Sequence, residues 1–101
     1  RVEPVSDRKE RILPADRDER IRLACQIAEV SYYSVQLDEP GTVTLTLMER
    51  DKSKLLGTGD AVRDGLRASG FQLVIFYGSC REVRTPHGHY WEADIAVEVG
   101  L

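Results

Sequence analysis

The stretch that decides the fold is residues 71–100, FQLVIFYGSCREVRTPHGHYWEADIAVEVG. It opens with an apolar run at residues 71–77 and closes with a strictly alternating run at residues 90–99. Apolar runs of this length, separated by residues that favour turns, predict two adjacent β-strands. The connector between them is a predicted loop that carries a cluster of reactive side chains, Cys80, His87 and His89.

The two predicted strands place their apolar residues differently. The last strand has one apolar face and one polar face, so it predicts an amphipathic strand, and its acidic residues are typical of a solvated edge strand. The preceding strand is apolar on both faces, which is typical of an interior strand. We expect the helices to cover the face that carries Phe71, Leu73, Ile75 and Tyr77, which leaves Val74 and Phe76 on the open face.

Upstream of this stretch, the spacing of the apolar residues is helical in some segments and typical of a strand in others. Asp16 and Glu19 resemble a capping box and predict a first helix over residues 17–29. Alternation on either side of the turn at residues 38–41 predicts a β-hairpin over residues 32–48. Helical spacing returns over residues 55–70, with the firm part starting near residue 60.

The resulting order is αββαββ. It predicts an α+β two-layer sandwich in which two helices pack on one face of a four-stranded, mainly antiparallel sheet. The predicted domain is residues 16–101. The mostly charged residues 1–15 are predicted to be a flexible arm or linker.

Composition narrows the classes of function. The chain has 101 residues and a formal net charge of −3, so it has no general attraction to nucleic acid or anionic lipid. No apolar stretch approaches the roughly 18 residues of a membrane span. Two cysteines predict unpaired thiols in a reducing compartment, so we expect a cytoplasmic location. The absence of an initiating Met leaves a periplasmic location or excision from a larger protein as alternatives.

The cluster in the connector supports three alternatives. Cys80, His87 and His89 are ligand types that zinc prefers, although the paired motifs of known zinc sites are missing. The same thiol and rings would suit a nucleophile and its base. With Arg81 and Arg84 beside them, the rings could also bind nucleic acid. We expect no resident cofactor, with zinc as the alternative, and nucleic acid is the least favoured partner.

Two other patterns have simpler explanations. Residues 57–59, Gly-Thr-Gly, stand at the predicted mouth of the second helix, where backbone amides could bind a phosphate. A lone Gly-x-Gly is more simply a flexible turn, since the glycine fingerprints of nucleotide sites are incomplete. The polar face of the last strand carries the acidic residues Glu92, Asp94 and Glu98. They could bind a cation, but the simpler explanation is that they keep the strand soluble.

An apolar patch favours interaction with a partner. Val74 and Phe76, with Tyr32 on a neighbouring strand, would form a patch on an otherwise polar sheet face. A protein partner, a second copy or an apolar ligand would cover such a patch; the alternative is that the N-terminal arm folds over it. We expect the partner to contact this patch and the end of the last hairpin through Val74, Phe76, Tyr32, Arg81, Arg84, His87 and His89.

The order of elements resembles the small ring-building and BON-like modules of bacterial envelope assemblies. That resemblance implies two helices on a small sheet and association side by side. Residues 88–100, after a strand, a helix and a strand, are also similar in plan to dodecin flavoproteins, which have no counterpart of the first helix. The leading hypothesis is a non-catalytic module that binds a protein partner or a second copy. The alternatives are a metal- or ligand-binding protein or enzyme, and then a nucleic-acid module.

Overall fold

The computed structural model describes residues 13–30, 33–35 and 41–100. The elements within these ranges are α1 (Arg17–Ala28), β1 (Tyr33–Val35), β2 (Thr42–Glu49), α2 (Lys52–Ala68), β3 (Val74–Thr85) and β4 (Gly88–Glu98). The predicted αββαββ order is confirmed, and so is the two-layer α+β sandwich with an antiparallel sheet. Residues 1–12 of the predicted arm lie outside the described ranges.

Aspartates begin both helices. Asp16 is the N-cap of α1, as predicted, and its Oδ1 accepts a hydrogen bond from the backbone N–H of Asp18 at 3.2 Å. Asp51 caps α2 by accepting from the N–H groups of Ser53 at 2.8 Å and Lys54 at 3.4 Å. The second helix therefore begins before the predicted start, because a good cap outweighs the low helix propensity of its glycines.

The early start of α2 changes the role of the Gly-Thr-Gly segment. Residues 57–59 lie inside the helix, where backbone amides are used by the helical hydrogen bonds. The predicted position at the mouth of the helix is wrong, and so are both interpretations of the segment, the favoured flexible turn and the alternative phosphate cradle. The hydroxyl of Thr58 instead donates to Oε2 of Glu49 at 3.1 Å.

The strands lie in the order β1-β2-β4-β3, and every neighbouring pair is antiparallel. Two of the predicted positions in the sheet are therefore reversed. The amphipathic strand β4 lies in the interior of the sheet, and β3, which is apolar on both faces, lies at the edge. Strand β4 tolerates its acidic residues because only one of its faces is covered by helices.

The core lies between the sheet and α2, which contacts β2, β3 and β4, while α1 packs beside it on β2. The register places apolar residues opposite one another in rows across the sheet, such as Leu45 beside Ile95 and Ile95 beside Phe76. Leu45 and Ile95 have no exposed surface. The alternating apolar residues of β2 and of the last strand pack inward: Trp91 is partly buried, and the others are fully buried, Val43, Leu45, Leu47, Ala93, Ile95, Val97 and Val99.

The predicted faces of β3 are wrong, and the end of α2 explains why. The N–H of Phe71 donates to the carbonyl of Leu66 at 3.2 Å, and that of Gly70 donates to Arg67 at 3.0 Å. With Gly70 at φ +112°, this is a Schellman motif, in which the residue after the glycine packs back on the helix. Phe71 is buried for that reason, and the strand alternation starts afresh at Val74.

Helix α2 passes close to β3 at one of its glycines. A Cβ on Gly59 would overlap the ring of Phe76, whereas a Cβ on Gly57 would meet no atom within 4 Å. Phe76 therefore packs against the helix layer and its ring occupies the space that a side chain at residue 59 would take. Within the described ranges, no helix is long and apolar enough to cross a membrane.

Candidate interaction surface

The open face of the sheet carries an apolar strip along the edge strand. We call the side chains of Leu73, Ile75 and Tyr77 the edge strip. They are 58%, 52% and 49% exposed, respectively. Alternation places all three on the face away from the helices, because Val74 and Phe76 point into the core. An edge strand that is apolar on both faces thus leaves about half of each of these side chains in water.

The main chain of β3 shows which of its polar groups face outward. The N–H of Glu98 donates to the carbonyl of Leu73 at 3.0 Å. In an antiparallel ladder the direction alternates along the strand, so Leu73, Ile75 and Tyr77 direct their main-chain groups at β4. Val74 and Phe76 direct theirs at the outer edge, where no strand lies among the described residues.

Arg67 covers part of that edge. Its Nη2 donates to the carbonyl oxygen of Val74 at 3.1 Å, so the last turn of α2 satisfies one outward acceptor of β3. Phe76 is the next residue along β3 with outward main-chain groups. Beyond it, the register shifts between Tyr77 and Arg81, which bends the strand. The edge strip is therefore bounded at one end by the hydrogen bond from Arg67 to Val74 and at the other end by the bulge after Tyr77.

A polar network borders the edge strip on the same face of the sheet. Arg81 donates from Nε to Glu92 at 3.1 Å and from Nη1 and Nη2 to Asp94 at 3.1 and 3.0 Å. Thr46 donates to the same aspartate at 3.2 Å. The hydrogen bond and charge of Asp94 raise the pKa of Arg81 above its ordinary value. One positive charge thereby offsets one of the two negative charges of β4 beside the strip.

The pairing of β2 with β4 ends at Trp91. Beyond it, the ends of β3 and β4 form a two-stranded hairpin arm, which is distinct from the predicted N-terminal arm. On this arm Glu82 lies 3.1 Å from Nδ1 of His89 and 3.5 Å from Nη2 of Arg84. Both partners of Glu82 are well exposed. Exposed pairs of this kind contribute roughly 0–1 kcal/mol, so they orient the arm more than they stabilise it.

The tip and the base of the arm have defined contacts. At the tip, the hydroxyl of Thr85 accepts from the N–H of His87 at 3.1 Å and donates to the carbonyl of Gly88 at 2.9 Å. At the base, the ammonium of Lys52 lies 5.2 Å from the centroid of the Trp91 ring. Trp91 packs against the core, as the alternation predicts, and is not an exposed stacking platform.

The structure separates the residues that the sequence assigned to a partner. Val74 is 2% exposed and Phe76 is half-buried, so their predicted exposure is wrong, because the strand alternation restarts after Phe71. Tyr32 lies outside the described ranges. The remaining four side chains are exposed on the arm or at its base, Arg81, Arg84, His87 and His89. Their contact with a partner stays a prediction.

The three predicted zinc ligands, Cys80, His87 and His89, are not brought together into one site. Cys80 lies at the bulge, where its Sγ donates to the carbonyl of Gly78 at 3.5 Å, and β3 continues to Thr85 instead of forming a loop. Cys80 and the partner of His89 in the ladder, Arg84, are four residues apart, or roughly 13 Å at about 3.3 Å per residue. In the part of the chain that the structure describes, no three His, Cys, Asp or Glu side chains form a group suited to a metal.

Both thiols are unpaired, as the sequence predicts. Cys25 is half-buried on α1, and burial raises the pKa of its thiol. A raised pKa lowers the fraction of thiolate at neutral pH, so this residue is poorly suited to act as a nucleophile.

A cleft of about 540 Å³ lies between the end of α1, the second half of β2 and α2. Its walls combine apolar side chains, such as Ile27 and Val62, with the carboxylates of Glu29, Glu49 and Glu92. Neither histidine nor cysteine is among the described residues that line it. The described lining of the cleft therefore contains no thiol and no imidazole.

Comparison with known proteins adds no family to this description. No family model, curated protein or solved structure matches the chain. The class that the fold defines is thus a small α+β two-layer sandwich, and the resemblances in element order to BON-like modules and dodecins transfer no functional residue.

Sequence reasoning missed the edge strip because it assigned the faces of β3 from Phe71. One local signal could have found it. The sequence Ala68-Ser69-Gly70-Phe71 is typical of a helix that ends in a Schellman motif with an apolar residue after the glycine. Counting the alternation from Val74 would then have placed Leu73, Ile75 and Tyr77 outside.

Proposed function

We propose that the protein is a non-catalytic interaction module that binds another protein surface through the edge strip. The observation that supports this is the position of three half-exposed apolar side chains, Leu73, Ile75 and Tyr77, on the open face of an edge strand. Full burial of such a side chain is worth roughly 1.5–3 kcal/mol, so covering the exposed halves would contribute about 1 kcal/mol each.

The surroundings of the strip favour a partner over simple exposure. Natural edge strands are commonly protected by charges or proline at outward positions. On β3 the protective features, the Arg67 contact and the bulge, lie on either side of the strip and leave its three side chains uncovered by described residues. Arg81 is hydrogen-bonded to both Glu92 and Asp94, so each of these two carboxylates has a partner beside the strip.

The test is native mass spectrometry of the full chain, isolated gently from the cells that express it. The wild type is compared with Ile75→Lys and with the matched control Met48→Lys, since Met48 lies on the same face and is 51% exposed. We expect the wild type and the control to carry a bound protein chain and Ile75→Lys to be a bare monomer. Each substitution should change stability by less than about 1 kcal/mol, because both positions are exposed.

Two results would contradict the proposal. One is a wild type that remains a bare monomer at high concentration. The other is equal binding by Ile75→Lys and Met48→Lys, which would place the contact elsewhere. A substitution at Phe76 is unsuitable as a probe, because Phe76 packs against the core and lies close to Gly59.

A further inference from the structure

Resting on the proposed function, the geometry points to a second copy of this chain as the partner: two β3 edges pair antiparallel, with Phe76 of each copy on the twofold axis. Such an interface is isologous, so the same surface must be complementary to itself. Residues 75–77, which are centred on Phe76, meet this condition in both their main chain and their side chains.

The main chain selects the register. In an antiparallel pair, residues with outward N–H and C=O groups exchange two hydrogen bonds when they lie opposite each other. Between the Arg67 cap on Val74 and the bulge after Tyr77, Phe76 is the residue of β3 whose main chain faces the outer edge. Pairing Phe76 with its symmetry mate uses its main-chain N–H and C=O groups and does not require the carbonyl of Val74, which Arg67 already contacts.

The side chains agree with this register. With Phe76 on the axis, Ile75 of each copy lies opposite Tyr77 of the other on the open face. A β-branched residue opposite an aromatic one is a favourable cross-strand pair. Gly78 lies next to this pair, and a Cβ there would meet no atom within 4 Å, so residue 78 itself presents no side chain that a second strand would have to displace.

Charge and area set the strength of the association. Arg81 and its two acidic partners border the strip with one positive and two negative charges, so each copy brings a net charge of −1 and the two copies repel weakly here. The exposed halves of Ile75 and Tyr77 amount to roughly 100 Å² each, or at most about 400 Å² for two copies. Stable interfaces bury about 1,200–2,000 Å², so we expect a weak dimer, with a Kd of roughly 10 µM to 1 mM.

Disulfide cross-linking between single-cysteine variants tests both the partner and the register. Ile75→Cys and Tyr77→Cys are made in the full chain, with Cys25→Ala and Cys80→Ser removing the native thiols, and circular dichroism checks that each variant folds. Directly opposed residues in a non-hydrogen-bonded pair lie about 4.5 Å apart, within reach of a disulfide. Residues offset diagonally lie about 7–8 Å apart, which is too far.

We expect the mixture of the two variants to form a mixed disulfide dimer at least tenfold faster than either variant alone. The control is Met48→Cys, mixed with Tyr77→Cys, which should cross-link no faster than random collision. Rapid cross-linking of Ile75→Cys with itself would overturn the register, because it places residue 75 on the axis.

No cross-linking above the control, together with a monomer in analytical ultracentrifugation at 1 mM of the wild type, would overturn self-association. The outcome for the proposed function is separate. If native mass spectrometry then finds a different protein bound to the wild type and absent from Ile75→Lys, the interaction surface stands and the second copy does not.

Discussion

The contact between α2 and β3 makes a sharp prediction about two glycines of one helix. Gly57 and Gly59 are both interior to α2, and replacing either with alanine improves helix propensity by roughly 1 kcal/mol. At Gly57 the new methyl group enters open space, so Gly57→Ala should stabilise the protein by about 0.5–1 kcal/mol. At Gly59 the methyl group would overlap the Phe76 ring.

The difference between the two variants isolates the packing effect. The propensity gain is common to both, so it cancels when Gly59→Ala is compared with Gly57→Ala. Overpacking a well-packed site costs typically 1–3 kcal/mol. We therefore expect Gly59→Ala to be less stable than Gly57→Ala by about 1–3 kcal/mol, which corresponds to roughly 5–20 °C in Tm for a domain of this size.

Urea unfolding, followed by circular dichroism, measures the difference. The slope of the transition should be unchanged, so that the shift in midpoint reports stability. A shorter side chain at residue 76 provides the rescue: Phe76→Leu should destabilise the wild type but cost less, or nothing, in the Gly59→Ala background. Equal stabilities of the two glycine variants within about 0.5 kcal/mol would refute the close approach of α2 to Phe76.

Three further predictions concern caps and a thiol. Asp51→Ala removes the N-cap of α2 and should lower the free energy of unfolding in urea by about 0.5–2 kcal/mol; an unchanged midpoint would contradict the cap. Glu29 is held at φ +58° at the end of α1, so Glu29→Gly should raise stability by up to about 1 kcal/mol in the same assay, whereas a loss would show that the glutamate side chain contributes there. Because burial raises the pKa of Cys25, the stability it contributes is fully present below pH 9.0, the ordinary value for the thiol, and is lost as pH rises through the higher folded value. In a Cys80→Ser background, the pH at which the Cys25 thiol becomes half-maximally reactive towards a disulfide reagent should therefore be higher in the folded protein than in the urea-unfolded protein, and equal values would exclude the shift.

The fold was largely predictable because it depends on the spacing of apolar residues within each helix and strand. The alternation of β2 and β4 predicted their buried residues, and Asp16 predicted the start of α1. Hydrophobic burial at a period of two or 3.6 residues is a property of the sequence itself, so it can be read without knowing which strands are neighbours. The open face of β4 was predicted for the same reason.

The candidate surface was less predictable, because it depends on strand order and on the phase of one strand. An apolar residue can be buried by packing at the end of a helix or by facing the core from a strand. The apolar pattern around Phe71 is compatible with either. The cap buried Phe71, and the alternation of β3 then ran one residue out of phase with the prediction. This shift moved Val74 and Phe76 into the core and Ile75 and Tyr77 into solvent.

The sequence alone determined the number, type and order of the elements, and therefore the two-layer sandwich. Only the tertiary structure decided that β3 lies at the edge, that its outer face carries Leu73, Ile75 and Tyr77, and that Cys80 lies far from His89. The physical reason is range: periods and caps act over a few neighbouring residues, whereas strand order and register follow from packing between segments distant in the chain.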